Sequence, residues 1–275
     1  MFSYLHRYHA GNFADVHKHL ILITLMLSLQ KKATPFAVLD THAGEGIYNL
    51  KSAESQKNTE FKRGLNPLLH VENPPPLLER YLKIIQSCNT TDEKSLYPGS
   101  PAIIKQLLRS EDRGILIEGH PRVITTLREH FARDKQLHIH ERDSLEGLIG
   151  LVPFTEKRGL IFIDPSFEVK TEYKEIVKKL TTAYERFPQG IYALWYPLLP
   201  AAMHQDMLNR IQRSNFSKVW YCEWIPYPQQ EPKGLYGSGM VILNAPWQSD
   251  IEIKALFTWL NQHVYKTGHF QQGWI

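Results

Sequence analysis

Cysteine is nearly absent from this chain. Two residues, Cys88 and Cys222, stand far apart in 275 positions and lack metal-ligand spacing, which excludes a disulfide framework and a cysteine zinc site and fits a reducing cytoplasm. Long hydrophobic runs are absent too. The longest candidate, residues 20–29, is too short to span a bilayer, is flanked by His, Arg and Lys, and lacks a small-residue cleavage site; it reads as a core helix rather than a signal peptide. Charge of one sign is scarce: a formal net charge of +4 is only mildly basic and does not by itself announce a nucleic-acid partner. There are no internal repeats or low-complexity tracts. A complete G-x-G-x-x-G fingerprint is also missing, because Gly44-Glu45-Gly46 supplies only its first half and Glu45 would repel a pyrophosphate. That weakens an NAD-dependent oxidoreductase reading.

What is present is an alternation of short apolar runs and amphipathic segments. Strands are expected at residues 36–40 and near Ile115, His138, Leu160, Ile191, Val219 and Met240. Helices are expected at about 14–31, 101–109 (capped by Ser100), 121–131, 173–187, 201–211 and 251–263. This is the pattern of one α/β domain, residues 1–275, with a mostly parallel sheet covered on both faces and its last two strands possible partners in an antiparallel hairpin. Asp40 and Glu118 are too far apart for one βαβ crossover of about 30 residues. A small helical subdomain inserted over residues 51–95 accounts for the excess; it carries Lys57, Lys62 and Arg63 within reach of phosphates, although a solvated loop and helix would read the same way.

Four expected strands end in an acid: Asp40, Glu118, Asp143 and Asp164. Each alone is an ordinary turn former, but together they fall where an α/β sheet places its ligand crevice. The loop from Thr41 to Gly46 allows close backbone approach to a nucleoside that carries no phosphate. Residues 161–167 end an apolar run in Asp164-Pro165-Ser166-Phe167, which looks like the signature of amino-methyltransferases. An exocyclic amine is a poor nucleophile, and the Asp164 carboxylate and Pro165 carbonyl are two acceptors for its N–H hydrogens. Proline fixes their relative geometry, and Phe167 offers a face for a flipped base. The competing reading is a buried strand ending in a common turn. The N-terminal segment mixes Tyr4, His6, Arg7, Tyr8, His9, His17, Lys18 and His19, a combination suited to unpaired bases and phosphates or, for several of the rings, to core packing. His17 and His19, two apart on a helix, point to different faces and cannot form a two-histidine metal pair.

The segments 2–19, 39–46, 97–101 and 163–167 resemble the bacterial 23S ribosomal RNA adenine-N6-methyltransferase J family along essentially the whole chain. Some of its members were earlier described as proteins for catabolism of external DNA. The resemblance implies a Rossmann-like, S-adenosylmethionine-dependent methyltransferase that monomethylates one adenine of 23S ribosomal RNA in the cytoplasm, with no membrane or metal partner and as a monomer. By the same resemblance Tyr4 contacts substrate, and His6 and Lys18 line the active site beside Asp164, Pro165 and Phe167. His19, His42, Gly44, Ser100, Glu118, Asp143, Ser144 and Asp164 line the cofactor pocket. The family's Asp-Pro-Pro-Tyr is Asp-Pro-Ser-Phe here, which keeps both acceptors and the aromatic face but loosens the loop. Two alternatives share these residues: a DNA adenine-N6 or cytosine-N4 methyltransferase, and a non-catalytic nucleic-acid-binding protein of DNA uptake built on the same scaffold.

Overall fold

The computed structural model describes residues 5–89 and 95–275. Helix α1 (Phe13–Gln30) leads into strand β1 (Ala37–Asp40). Strands β2 (Ile47–Asn49) and β3 (Leu96–Pro98) pair as a small antiparallel ribbon, and between them lie α2 (Ala53–Asn58), 3₁₀ turns at Glu60–Lys62 and Asn66–Leu68, and α3 (Pro76–Ser87). The chain continues through α4 (Ser100–Leu107), β4 (Arg113–Glu118), α5 (Pro121–Phe131), β5 (Leu137–Glu141), α6 (Ser144–Gly150), β6 (Gly159–Ile163), α7 (Glu172–Arg186) and β7 (Ile191–Leu198). After α8 (Met203–Gln212) come β8 (Trp220–Ile225), β9 (Gly237–Leu243), α9 (Ser249–Leu260), a π-helical turn at Asn261–Tyr265 and β10 (His269–Trp274).

The main sheet runs β10-β8-β9-β7-β6-β1-β4-β5. Strands β1, β4, β5, β6 and β7 are parallel, whereas β9 is antiparallel to both of its neighbours, β7 and β8. The α/β class, the mostly parallel sheet and the closing hairpin are therefore as the sequence pattern predicts. Strands β1, β6 and β7 are buried at every position, as a parallel sheet covered on both faces demands, and their unbroken apolar runs follow from that. Helix α1 is buried almost all round, with α3, α4 and α9 beside it and β9 beneath. Such a helix has no solvent face, so His17, Lys18 and His19, all buried, must each find a polar partner.

Some details differ from the sequence reading, among them helix α6, which was not expected. Ser100 is the first residue of α4 rather than its cap; Gly99 holds the cap position with extended backbone. The β2–β3 ribbon is unexpected, since three-residue strands show no period. Strand β10 is unexpected as well: His269–Trp274 lacks β-branched residues and is partly exposed at the sheet edge. Among the described residues no helix is long and apolar enough to cross a membrane.

The chain moves from β1 outward to β4 and β5, then returns to place β6 on the other side of β1. The reversal opens a crevice at the carboxyl ends of β1 and β6, the switch point at which such sheets bind ligands. Phe162, fully buried in β6, underlies this point. Truncation by Phe162→Ala is expected to cost about 3–5 kcal/mol of unfolding free energy, read by urea titration at unchanged m-value. A loss under about 1 kcal/mol would mean that β6 is not the packed centre described.

Candidate active site

A cavity of about 720 Å³ opens at the switch point. Asp40 ends β1, Glu118 ends β4, Asp143 stands two residues beyond β5, and Asp164 follows β6 directly. Of the residues singled out from sequence, His6, Lys18, His19, His42, Gly44, Ser100, Glu118, Asp143, Ser144, Asp164 and Pro165 all line this one cavity. Tyr4 lies outside the described residues.

Asp164 is held by Lys18, whose ammonium donates to Oδ2 at 2.5 Å. The same ammonium lies 2.8 Å from Oδ1 of Asp15, one helical turn earlier on α1. The other Asp15 oxygen accepts the Gly11 amide at 2.8 Å and stands 3.0 Å from His6 Nε2. Burial alone would raise the Asp15 carboxyl, but the neighbouring His6 and Lys18 outweigh it and hold the group well below the usual carboxylate range. Sequence reasoning missed Asp15. The signal was available: Asn12 caps α1 by accepting the Asp15 amide at 2.9 Å, the N-cap spacing of three, and Asp15 and Lys18 are three apart on one helix face.

His17 and His19 diverge as their spacing requires. His17 Nδ1 meets Ser238 Oγ at 2.8 Å, and His19 Nδ1 meets the Tyr97 hydroxyl at 2.8 Å. Burial lowers both imidazoles to about 3, so both are neutral at pH 7. His42, against the Thr41 hydroxyl at 2.8 Å, is lowered by burial to about 4. Among the described residues no cluster of three or more His, Cys, Asp or Glu side chains is able to hold a metal ion.

The glycine loop is shaped for close approach. Gly44 has φ +62°, and a Cβ there would fall 2.2 Å from the Tyr48 hydroxyl, so only glycine fits without displacing Tyr48. Its amide donates to Glu118 Oε2 at 3.0 Å, and the His120 amide donates to Oε1 at 2.7 Å. Each Glu118 oxygen keeps a second lone pair for a ligand hydroxyl. Asp143 lines the cavity and also caps α6, its Oδ1 accepting the Glu146 amide at 2.8 Å. From the opposite rim, Arg7 Nε donates to Glu45 at 2.8 Å and Nη1 to Glu54 at 3.2 Å. These bonds tie the N-terminal 3₁₀ turn to the loop and to α2.

Phe167 departs from its expected place. Its backbone is left-handed, φ +52°. Its ring is buried against Tyr173, with centroids 4.3 Å apart, and does not line the cavity. An aromatic side chain in that backbone region costs roughly 1–2 kcal/mol, and the stack on Tyr173 offsets it. Among the described residues Tyr48 and Trp195 line the cavity, and Trp195, beside Lys18, is another that sequence reasoning did not single out.

The lining is strongly acidic. Among the described residues nine Asp and Glu residues line it, from Asp15 to Glu175, against Lys18 and Arg142, while Arg7 and Arg128 pair with two of them, Glu45 and Glu141, from outside the lining. Such a cavity favours a cationic ligand and repels phosphate.

Comparison with known proteins accords with this geometry. Residues 33–275 match the family model described as ribosomal RNA large subunit methyltransferase D, RlmJ. The chain is 35% identical over its whole length to the ribosomal RNA large subunit methyltransferase J of Escherichia coli, covering 99% of that protein. It is 36% identical, with the same coverage, to the protein of that name from Haemophilus influenzae. The chain belongs to this family. The crystal structure of protein LPL1258 from Legionella pneumophila superposes with a TM-score of 0.90 at 37% identity, over 97% of this chain and 98% of that one. The mixed sheet, with β9 reversed and β10 at its edge, is thus the α/β fold of a ribosomal RNA large subunit methyltransferase family.

Burial raises the Asp40 carboxyl to about 7, with nearby Asp164 adding to the shift, while the Ser100 hydroxyl, the His42 amide and Lys18 act against it. Below about pH 4 the group is protonated whether the chain is folded or unfolded. As pH rises toward 7 only the unfolded chain ionises freely, so stability is lost across that interval. Asp40→Asn is expected to gain on the parent by on the order of 4 kcal/mol between about pH 4 and pH 8, read from urea unfolding at each pH. Parallel pH profiles for the two proteins would contradict a buried, raised Asp40.

Proposed function

We propose that this protein transfers a methyl group from S-adenosylmethionine to the N6 amine of a specific adenine in 23S ribosomal RNA. The observation that carries the reading is the pair of acceptors at the end of β6. Asp164 and Pro165 line the same cavity as the glycine loop and Glu118, with Lys18 fixing one Asp164 oxygen. The family relationship supports the choice of RNA.

The residues present suit the cofactor. Its sulfonium and ammonium charges match the acidic lining, Glu118 can accept from ribose hydroxyls, and the Gly44 backbone lets a nucleoside pass closely. His19, His42, Ser100, Asp143 and Ser144 complete its pocket. Bound there, it supplies a methyl already activated on a sulfonium sulfur, and no metal is needed. Asp164 and Pro165 accept the two amine hydrogens and so align the nitrogen lone pair on the methyl, opposite the sulfur. The reaction is a direct in-line displacement without a covalent enzyme intermediate. Positive charge develops on N6 as the new C–N bond forms, and the Asp164 carboxylate stabilises it and then takes the departing proton. An ordinary carboxylate is too weak a base to remove that proton beforehand.

The acidic interior admits an uncharged base but not its phosphates, which fits an unpaired, extruded adenine. Phosphate contacts then fall outside the cavity. The inserted segment, residues 51–95, offers Lys57, Lys62 and Arg63 there. The first lies 5.9 Å from the Tyr8 ring centre, and the Arg63 guanidinium is 4.3 Å above Tyr227.

The test supplies methyl-labelled S-adenosylmethionine with unmodified 23S ribosomal RNA, single-stranded DNA or duplex DNA, and identifies the labelled nucleoside after digestion. N6-methyladenosine from RNA alone is the expected product. Label confined to DNA would make the protein a DNA methyltransferase, and no transfer by folded protein would leave a binding role. Asp164→Ala is expected to lower turnover by about 10²–10³-fold while cofactor affinity remains measurable by calorimetry. Complete loss of cofactor binding in a folded variant would instead make Asp164 chiefly a cofactor ligand.

A further inference from the structure

The sheet order fixes the side from which the acceptor base arrives. Glu118 and Asp143, which follow β4 and β5, lie on one side of β6, and β7 lies on the other. In-line transfer requires the nucleophile opposite the sulfur, so a base whose amine reaches Asp164 occupies the β7 side. Ile163 pairs with Leu194, and the next residue along β7, level with Asp164, is Trp195. Its side chain lines the cavity. The Lys18 ammonium that holds Asp164 is 5.6 Å from the centre of the indole ring.

The indole is also fixed. Nε1 donates to Ser238 Oγ on β9 at 2.9 Å, and that hydroxyl is 2.8 Å from His17 Nδ1 on α1. Phe167 packs near it with ring centroids 6.2 Å apart. Trp195 belongs to the core, only 8% exposed, yet it also lines the cavity. Here the polar edge is anchored to a neighbouring strand, and the ring is presented to an acidic cavity next to the two amine acceptors. A planar wall held in this way costs little entropy when a base packs on it. Phe167, the aromatic of the Asp-Pro-Ser-Phe segment, is already stacked on Tyr173.

We propose that Trp195 is the aromatic wall against which the extruded adenine packs, and that Phe167 supports this wall from behind rather than touching the base. This rests on the reading that the acceptor is a nucleobase. Three variants test it: Trp195→Leu keeps apolar bulk without a π face, Trp195→Phe keeps a smaller face, and Phe167→Leu removes the supporting ring. Each is assayed for methyl transfer to unmodified 23S ribosomal RNA and for affinity toward S-adenosylhomocysteine, which also reports folding.

The expected result is a fall of about ten- to a hundredfold in kcat/KM for Trp195→Leu, recovery to within about fivefold of the parent for Trp195→Phe, and a smaller loss for Phe167→Leu than for Trp195→Leu. Cofactor affinity should stay within about twofold throughout. Parent-like transfer by Trp195→Leu would overturn the proposal, as would a larger loss in Phe167→Leu. Cofactor affinity falling in step with turnover would make Trp195 part of the cofactor pocket and equally overturn it. Nucleoside identity separates this inference from the one above. Label on a base atom other than adenine N6 contradicts the assigned reaction, while the contrast between Trp195→Leu and Trp195→Phe still reports on the wall.

Discussion

The ammonium group of Lys18 sits between two carboxylates that belong to opposite ends of the chain's architecture, Asp15 on α1 and Asp164 beyond β6. Lys18 and Asp15 are almost wholly enclosed. An unpaired charge at that depth would be prohibitive, whereas removing one partner of a paired set strands the others. The bridge therefore fixes the register of α1 against the end of β6. Since Asp15 also meets His6 and the Gly11 amide, one buried network carries the N-terminal segment, the helix and the end of β6 together. The price of burying these charges is accepted at the point where geometry at Asp164 matters most.

Electrostatics divides the site in two. The interior is acidic and suits a cationic cofactor, while cations paired with aromatic rings, Lys57 with Tyr8 and Arg63 with Tyr227, lie in and around the segment between β2 and β3. On the proposed reading, the phosphates of the RNA stay outside and one uncharged base enters, so selection for an unpaired base would follow from charge and cavity shape without a large recognition domain.

Much of this was legible in the sequence. Buried parallel strands are written as unbroken apolar runs, and the acids at Asp40, Glu118, Asp143 and Asp164 mark where those runs stop, so the crevice could be located before any coordinates. His6, Lys18 and His19 stood out as part of an aromatic and cationic N-terminal mixture, but only family resemblance placed them, with His42, at the site, because a polar residue in a fully buried helix looks the same in sequence as one on its solvent face. Asp15 was missed although its spacing from Asn12 and Lys18 marks it. Trp195 was hidden by context, since an indole in an apolar strand reads as core until the strand is seen to run past its neighbour. Phe167 shows the reverse error: its place in the motif suggested a base contact, yet a left-handed backbone and the Tyr173 ring turn it inward. Strand β10 carries no apolar period and is defined only by its partner β8.

The central claim is that the buried Asp15 carboxylate is coupled to the Lys18 ammonium that holds Asp164. A double-mutant cycle on unfolding free energy tests it with Asp15→Asn, Lys18→Met and the paired variant. The account predicts that the double variant costs less than the sum of the single ones, with a coupling of about 1–3 kcal/mol. Additive costs, with coupling below about 0.5 kcal/mol, would contradict it.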